Sequence, residues 1–410
     1  MSFTDLSLEH FQNAYDVLKP VLRETPLVYS EHFSQLNHAQ CYLKPENMQL
    51  TGAFKIRGAY YAVSCLSETE AKQGLVTASA GNHAQGLALA GQLKKLPVTI
   101  VMPETTPLVK VNNTKGYGAN VILKGATFDD AADEALRLSQ TEGLTYIHPF
   151  DNLNVAAGQG TMVFDILRDL PETDVILVPV GGGGLATGVA VLAKLLKPDI
   201  KVFGVEPTGA ASLKTAFRAG HPVTLPSLNT IADGVAVKRV GDQLYPFLER
   251  NLDGIITVPD EELVVVFLDM LERHKMLVEN AGLLSVAALR HLELTADTRT
   301  VSILSGGNMD VITMSSLVQH GLIARNRVFT FTVLLPDRPG ELEHVAHVIA
   351  ESKGNIIRLD HNQFISINRN AAVELKVTLE AFGAAHKDQI MQALKDAGYD
   401  AHVTLSTSIY

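Results

Sequence analysis

Lys55 lies in the stretch Asn47-Met48-Gln49-Leu50-Thr51-Gly52-Ala53-Phe54-Lys55-Ile56-Arg57-Gly58-Ala59. It follows a turn-prone Thr-Gly pair and an aromatic residue, and a helix-forming run over 57–65 comes after it. Its amine is therefore expected at a loop-to-helix junction, where the partial positive charge of a helix N-terminus disfavours an ammonium. Partial burial beside Phe54 lowers the pKa further. A lysine of that kind is a candidate nucleophile or base. Taken alone, the stretch is explained more simply by a surface lysine lying over Phe54.

The run Gly181-Gly182-Gly183-Gly184-Leu185-Ala186-Thr187-Gly188 is the strongest local signal. It stands between an apolar strand and a helix, where glycine N–H groups can hold an anion such as a phosphate. No Gly-Lys-Ser/Thr follows, so it is not a P-loop. It does fit G-x-G-x-x-A, with Glu206 about 20–25 residues later at a strand end, which is the layout of a dinucleotide fingerprint. Ser79-Ala80-Gly81-Asn82-His83 closes one strand and opens a helix. It can hold a carboxylate in the same way, or serve as an ordinary helix cap. Ser305-Gly306-Gly307-Asn308 is a third small-polar loop. Glu279, at a helix start, either faces a crevice or complements the helix dipole. The histidines show no zinc spacing.

These loops need a frame. Strands are expected at 41–44, 75–78, 98–102, 119–123, 175–180, 201–207 and 300–304, with helices over 84–92, 127–142, 155–169, 185–196, 263–277 and 282–291. Alternation at this rhythm predicts an α/β fold with mostly parallel sheets. Parallel sheets place ligands outside the C-terminal strand ends, where all three loops fall. Residues 175–193 carry no charge, yet Pro179 and the glycine run divide them into strand, loop and helix, not a membrane span. From 326 the pattern changes to β-α-β-β-α-β, with strands at 328–335, 356–360, 372–379 and 403–405 and helices at 341–352 and 386–397. That is the ferredoxin-like order over about 75 residues.

The chain has 410 residues, 46% of them hydrophobic and 19% charged, which describes a folded protein of two or three domains. A net charge of −10 argues against general nucleic-acid binding. Two cysteines, Cys41 and Cys65, and an N-terminus with neither basic start nor apolar core point to a reduced cytoplasmic setting.

Taken together, the Lys55, Ser79–His83, Gly181–Leu185 and Ser305 stretches and Ile231-Ala232-Asp233-Gly234-Val235-Ala236-Val237 resemble the threonine dehydratases (threonine ammonia-lyases), of the tryptophan-synthase-β-like pyridoxal-phosphate enzymes. The resemblance covers residues 5–325 in order and spacing. It implies a two-lobed fold type II catalytic domain over 1–325, with a small lobe near 53–148. The tail over 326–410 resembles an ACT regulatory domain, through Asp337-Arg338-Pro339-Gly340 and Asn355-Ile356.

The resemblance implies that Lys55 carries pyridoxal phosphate as a Schiff base and later takes the Cα proton. It puts Phe54 against the ring, Asn82 on the ring hydroxyl, and Gly181, Gly182, Gly183, Gly184 and Leu185 around the phosphate. Gly234 lies near the ring and Ser305 meets the pyridine nitrogen. Ser79, Gly81, Asn82 and His83 hold the substrate carboxylate. The implied reaction converts L-threonine, and L-serine, to the 2-oxo acid and ammonia. It stands at the entry to isoleucine biosynthesis under control by a branched-chain amino acid; a catabolic dehydratase or a serine dehydratase or racemase is the alternative. Ala80 stands where racemases carry a serine, which favours elimination. Glu206, Ala210 and Ser212 resemble a cation site with an acidic ligand missing, leaving a monovalent ion or none. Asp337, Gly340 and Asn355 are the expected effector residues, and a homodimer or homotetramer is the expected assembly. A nicotinamide dehydrogenase and a non-catalytic amino-acid sensor are the rival classes.

Overall fold

A computed structural model describes residues 5–363 and 373–404. The expected strand ends at Ala372 and Leu405, and the first four residues of the N-terminus, lie outside the described residues. The chain divides into two compact units, Met1–Asp310 and Val311–Tyr410. The division falls before the helix Val311–Ala324, which groups with the second unit and not, as the boundary at 325 implied, with the first.

The first unit holds two sheets. In the larger, the strands run in the order Val28–Tyr29, Gln40–Lys44, Arg299–Ile303, Val175–Pro179, Lys201–Pro207, Gly254–Val258. All neighbours are parallel except the first pair. All five residues of Val175–Pro179 are buried, as expected for a central strand covered on both faces. Three adjacent strands here end in the lysine stretch, the Ser305 loop and the glycine loop. The smaller sheet has the order Asn120–Leu123, Val98–Met102, Leu75–Ala78, Thr145–Tyr146, all parallel. Its central strand Leu75–Ala78, also wholly buried, delivers Ser79.

Several expected elements are cut differently. The helix over 155–169 is two, Leu153–Gly160 and Met162–Asp169, meeting at Thr161. The cause is close packing: a Cβ on Gly158 would lie 2.7 Å from the Arg57 carbonyl oxygen, and one on Gly160 would lie 2.5 Å from that of Gly188. Glycines permit the approach and weaken the helix that contains them. The helix expected over 263–277 begins earlier, as Asp260–Asp269, and unwinds into a wider turn at Met270–His274. Asn280–Ala287 passes into a 3₁₀ turn, Ala288–His291. The helices Ser212–Ala219 and Tyr245–Asn251 and the edge strand Gly254–Val258 have no counterpart among the expected elements.

In the second unit the sheet order is Asn355–Asn362, Val373–Glu380, Val328–Leu335, His402–Thr404, all antiparallel. With the helices Glu341–Glu351 and Ala384–Asp396 this is the ferredoxin-like fold the sequence predicts. Phe331, Val333, Val345, Ile349, Val377 and Ile390 belong to a core of its own. Among the described residues no helix is long and apolar enough to cross a membrane.

Candidate active site

Lys55 is the first residue of the helix Lys55–Ser64. The turn before it needs a left-handed residue, supplied by Gly52 at φ +71°. Its Nζ donates to the Pro149 carbonyl at 3.0 Å and stands 5.2 Å from the centre of the Phe54 ring. Lys55 keeps some accessible surface yet is surrounded by protein, so that surface faces an internal crevice. Burial lowers its pKa to about 8, with the Glu279 carboxyl pulling the other way. The sequence reading has the direction right, but burial is the main cause.

The helix behind Lys55 is fixed by charges the sequence reading passed over. Arg57 makes a two-pronged bond to Glu46 (2.8 and 2.7 Å) and reaches Asp165 at 3.0 Å. The wholly buried Lys44 gives its amine to the Thr25 carbonyl at 2.6 Å. Burial alone would raise the Glu46 carboxyl; Arg57 and Lys44 bring it down to about 2. The Gly58 N–H, which would otherwise join the helix ladder, is taken by Gln159 Oε1 at 3.1 Å.

The lysine loop and the Ser305 loop are sewn together. Phe54 N–H donates to the Ser305 carbonyl (3.0 Å), and Gly307 N–H to that of Gly52 (2.8 Å). Ser305 itself is 3% exposed. Asn308 Nδ2 donates to the Thr51 carbonyl (2.7 Å) and to Asn82 Oδ1 (2.9 Å). Asn82 Nδ2 donates to Glu279 Oε1 at 2.7 Å. Glu279 therefore faces the crevice, one of the two positions the sequence left open. Burial pushes its carboxyl up to about 7.

Of the two roles the sequence leaves open for Ser79, the geometry shows the cap. Its Oγ accepts from the N–H groups of Gly81 and Ala84, each at 3.3 Å, which caps the helix Asn82–Lys94. The hydroxyl hydrogen and the N–H groups of Asn82 and His83 have no protein acceptor among the described residues. Gly81, the cap residue itself, has open space beside its Cα. The His83 side chain does not belong to this site. It is 2% exposed, its Nε2 lies 3.3 Å from the Ile147 carbonyl, and its Nδ1 has no partner. Burial, aided by Lys55, holds it neutral with a pKa of about 3. The main-chain N–H of His83, and not its ring, stands in the row of free donors at this helix start.

The glycine loop presents the N–H groups of Gly182, Gly183, Gly184, Leu185 and Ala186 without a protein acceptor among the described residues. Five free donors at the start of the helix Gly184–Leu196 suit a phosphate. Thr187 Oγ1, in the first turn, is buried and unpartnered. Side chains are excluded here: a Cβ on Gly182 would sit 2.3 Å from the Phe150 ring, and Gly183 adopts φ +99°. Gly181 abuts Val235, which sets Gly234 beside the crevice with its Cβ position 3.4 Å from Glu279 Oε1. His148, not singled out by the sequence, accepts from the N–H groups of Phe150 (3.2 Å) and Asp151 (2.8 Å) and so shapes the segment that carries the Pro149 carbonyl. Burial and then Lys55 lower its pKa to about 4.

The dinucleotide alternative fails at Glu206. Both its oxygens accept main-chain N–H groups, from Leu213 (2.7 Å) and Lys214 (2.9 Å), and burial raises it to about 7. Ala210 and Ser212 lie buried beside that turn. No cluster of three or more His, Cys, Asp or Glu side chains suited to a metal occurs among the described residues. In the second unit Gly340, at φ +94°, opens the helix Glu341–Glu351. Asp337 precedes it in the same loop, and Asn355 Nδ2 reaches Glu380 Oε2 at 3.3 Å.

The family described as "Pyridoxal-phosphate dependent enzyme" matches residues 18–306. The chain belongs to this family. The pyridoxal-phosphate enzyme is 38% identical over 398 residues to a protein of Thermotoga maritima named L-threonine ammonia-lyase, covering 97% of this chain and 99% of that one. A protein of Geobacter sulfurreducens with the same name is 40% identical over 389 residues, covering 95% and 97%. Among solved structures, the processed form of threonine deaminase isoform 2 from Solanum lycopersicum is similar with a TM-score of 0.73 and 38% identity, over 77% of this chain and 94% of that one. The two-lobed parallel architecture is thus that of a fold type II pyridoxal-phosphate enzyme.

Proposed function

We propose that the chain is an L-threonine ammonia-lyase, converting L-threonine to 2-oxobutanoate and ammonia, and L-serine to pyruvate and ammonia. One observation carries the reading. A lysine amine lowered to about 8, a row of bare glycine N–H groups and a helix start with free N–H groups meet at one crevice. The names of the full-length relatives supply the substrate class.

Pyridoxal phosphate, when bound, supplies an electron sink that acidifies the Cα–H of an amino acid. Residues 181–185 would hold its phosphate, Phe54 and Gly234 flank its ring, Asn82 meet its ring hydroxyl and Ser305 its pyridine nitrogen. The Ser305 hydroxyl bears no charge and does not keep that nitrogen protonated as an aspartate would. That favours prompt loss of the β-hydroxyl over transamination. The Lys55 amine would hold the cofactor, and the same amine, when free, would be the base placed to take the Cα proton. The Ser79 hydroxyl and the main-chain N–H groups of residues 81–83 hold the substrate carboxylate. Ala80 offers no acid or base on the opposite face, so elimination prevails over racemisation.

The second unit is assigned an amino-acid effector, with Asp337, Gly340 and Asn355 at its site. In a biosynthetic role the enzyme opens isoleucine synthesis and isoleucine inhibits it; a catabolic role uses another effector. A cytoplasmic homodimer or homotetramer completes the reading. Glu206, Ala210 and Ser212 take a monovalent cation at most. Steady-state kinetics on threonine and serine, with and without branched-chain amino acids, test substrate and regulation together. Lys55→Ala should abolish turnover and the borohydride-fixed cofactor label; near-normal activity in that variant would sink the proposal.

A further inference from the structure

We propose that Glu279 is a positioning residue that fixes the Asn82 amide with a free N–H toward the cofactor's ring oxygen. The inference rests on the reading of Asn82 as a cofactor ligand.

An asparagine amide can flip, and its two ends then exchange donor for acceptor. Here the orientation can be traced from a group that cannot flip. The Thr51 carbonyl only accepts, so the Asn308 end facing it at 2.7 Å is the NH₂. That same NH₂ faces Asn82 at 2.9 Å, so the Asn82 end it meets is the oxygen. The Asn82 NH₂ then faces Glu279 Oε1 at 2.7 Å. Glu279 takes one of its two hydrogens and leaves the other for a ligand. A flipped Asn82 would set oxygen against a carboxyl oxygen and NH₂ against NH₂.

Glu279 precedes the helix Asn280–Ala287, but its side chain makes no capping bond there. Its own N–H is tied to the Gly306 carbonyl at 2.9 Å, which directs the side chain into the crevice. Space is kept for it. A Cβ on Gly306 would lie 2.4 Å from Glu279 Oε1 and 3.0 Å from Asn82 Nδ2. The charged groups that act on this carboxyl are Lys110, Lys55 and Asp233. Burial pushes this carboxyl up to about 7, so the partner of Asn82 changes charge near neutral pH.

The test uses the full chain, with and without pyridoxal phosphate, as wild type, Glu279→Gln and Glu279→Ala. Three quantities are read: the dissociation constant for pyridoxal phosphate, the position of the visible band from pH 6 to 9, and thermal unfolding of the cofactor-free protein. Glutamine can still accept from Asn82, so E279Q should bind the cofactor within about threefold of wild type. It should lose the band shift centred near pH 7. E279A should bind roughly tenfold more weakly, as expected for one lost hydrogen bond to a charged acceptor. Asn308→Ala, which removes the other clamp, should also weaken binding and keeps the test decisive if E279A does not fold. A merely structural Glu279 would lower the unfolding temperature without moving the band. E279A and N308A with wild-type affinity and wild-type pH dependence would overturn the inference. A wild-type protein with no visible band, or with the borohydride label away from Lys55, would instead overturn the proposed function.

Discussion

At the scale of single residues, the crevice works by refusing charge. Lys55 and His148 have lowered pKa values, with burial as the leading cause, and Glu279 is raised for the same reason. A neutral amine forms an imine; an ammonium does not. The cofactor-free protein, treated with a small aldehyde and cyanoborohydride across pH 6.5–9.5, should therefore be modified at Lys55 with a midpoint near 8. Ordinary lysines follow at about 10.4, and a Lys55 midpoint there would contradict the environment described. The residue types were legible in the sequence, because the lysine stands at a helix start and the glycines and small-polar loops at strand ends. Their partners were not. Asn82 and Glu279 are 197 positions apart, and Arg57 and Asp165 are 108 apart. No local pattern announces such pairs.

At the scale of elements, three helices around the site touch backbone to backbone. Besides Gly158 and Gly160, Gly188 in the helix Gly184–Leu196 faces the Ala156 carbonyl, where a Cβ would stand 2.0 Å from the oxygen. Glycine-to-alanine changes in an open helix gain up to about 1 kcal/mol. Gly188→Ala should instead cost about 1–3 kcal/mol by overpacking, seen as a lower unfolding midpoint in urea. Gly116→Ala, with nothing within 4 Å, should be neutral or slightly stabilising and serves as the control. The buried parallel strands were readable as apolar runs bounded by small residues. The break at Thr161 was not, since it follows from contacts between helices. The edge strand Gly254–Val258 was missed because only its last residue is fully buried.

At the scale of the whole molecule, the units carry separate cores, and the residues of the main catalytic core all precede 304. A chain ending at residue 325 keeps every residue of the crevice. It should turn over threonine at a rate within a few-fold of the full chain and lose any response to isoleucine or valine. Inactive but folded protein, judged by circular dichroism, would show that the second unit is needed for catalysis itself. The ferredoxin-like order was legible because its strands alternate and its turns carry Pro and Gly. The position of the division was not, because the helix Val311–Ala324 carries no mark of which unit it joins.

The pairing of Ala53 with Gly306 has a mechanical consequence. The segment that holds Lys55 and the segment that holds Ser305 are tied side by side, by this bridge and by the Phe54 and Gly307 N–H bonds. The span between Lys55 and Ser305 is thereby governed by main-chain pairing and not by their side chains. A displacement of one segment would carry the other with it.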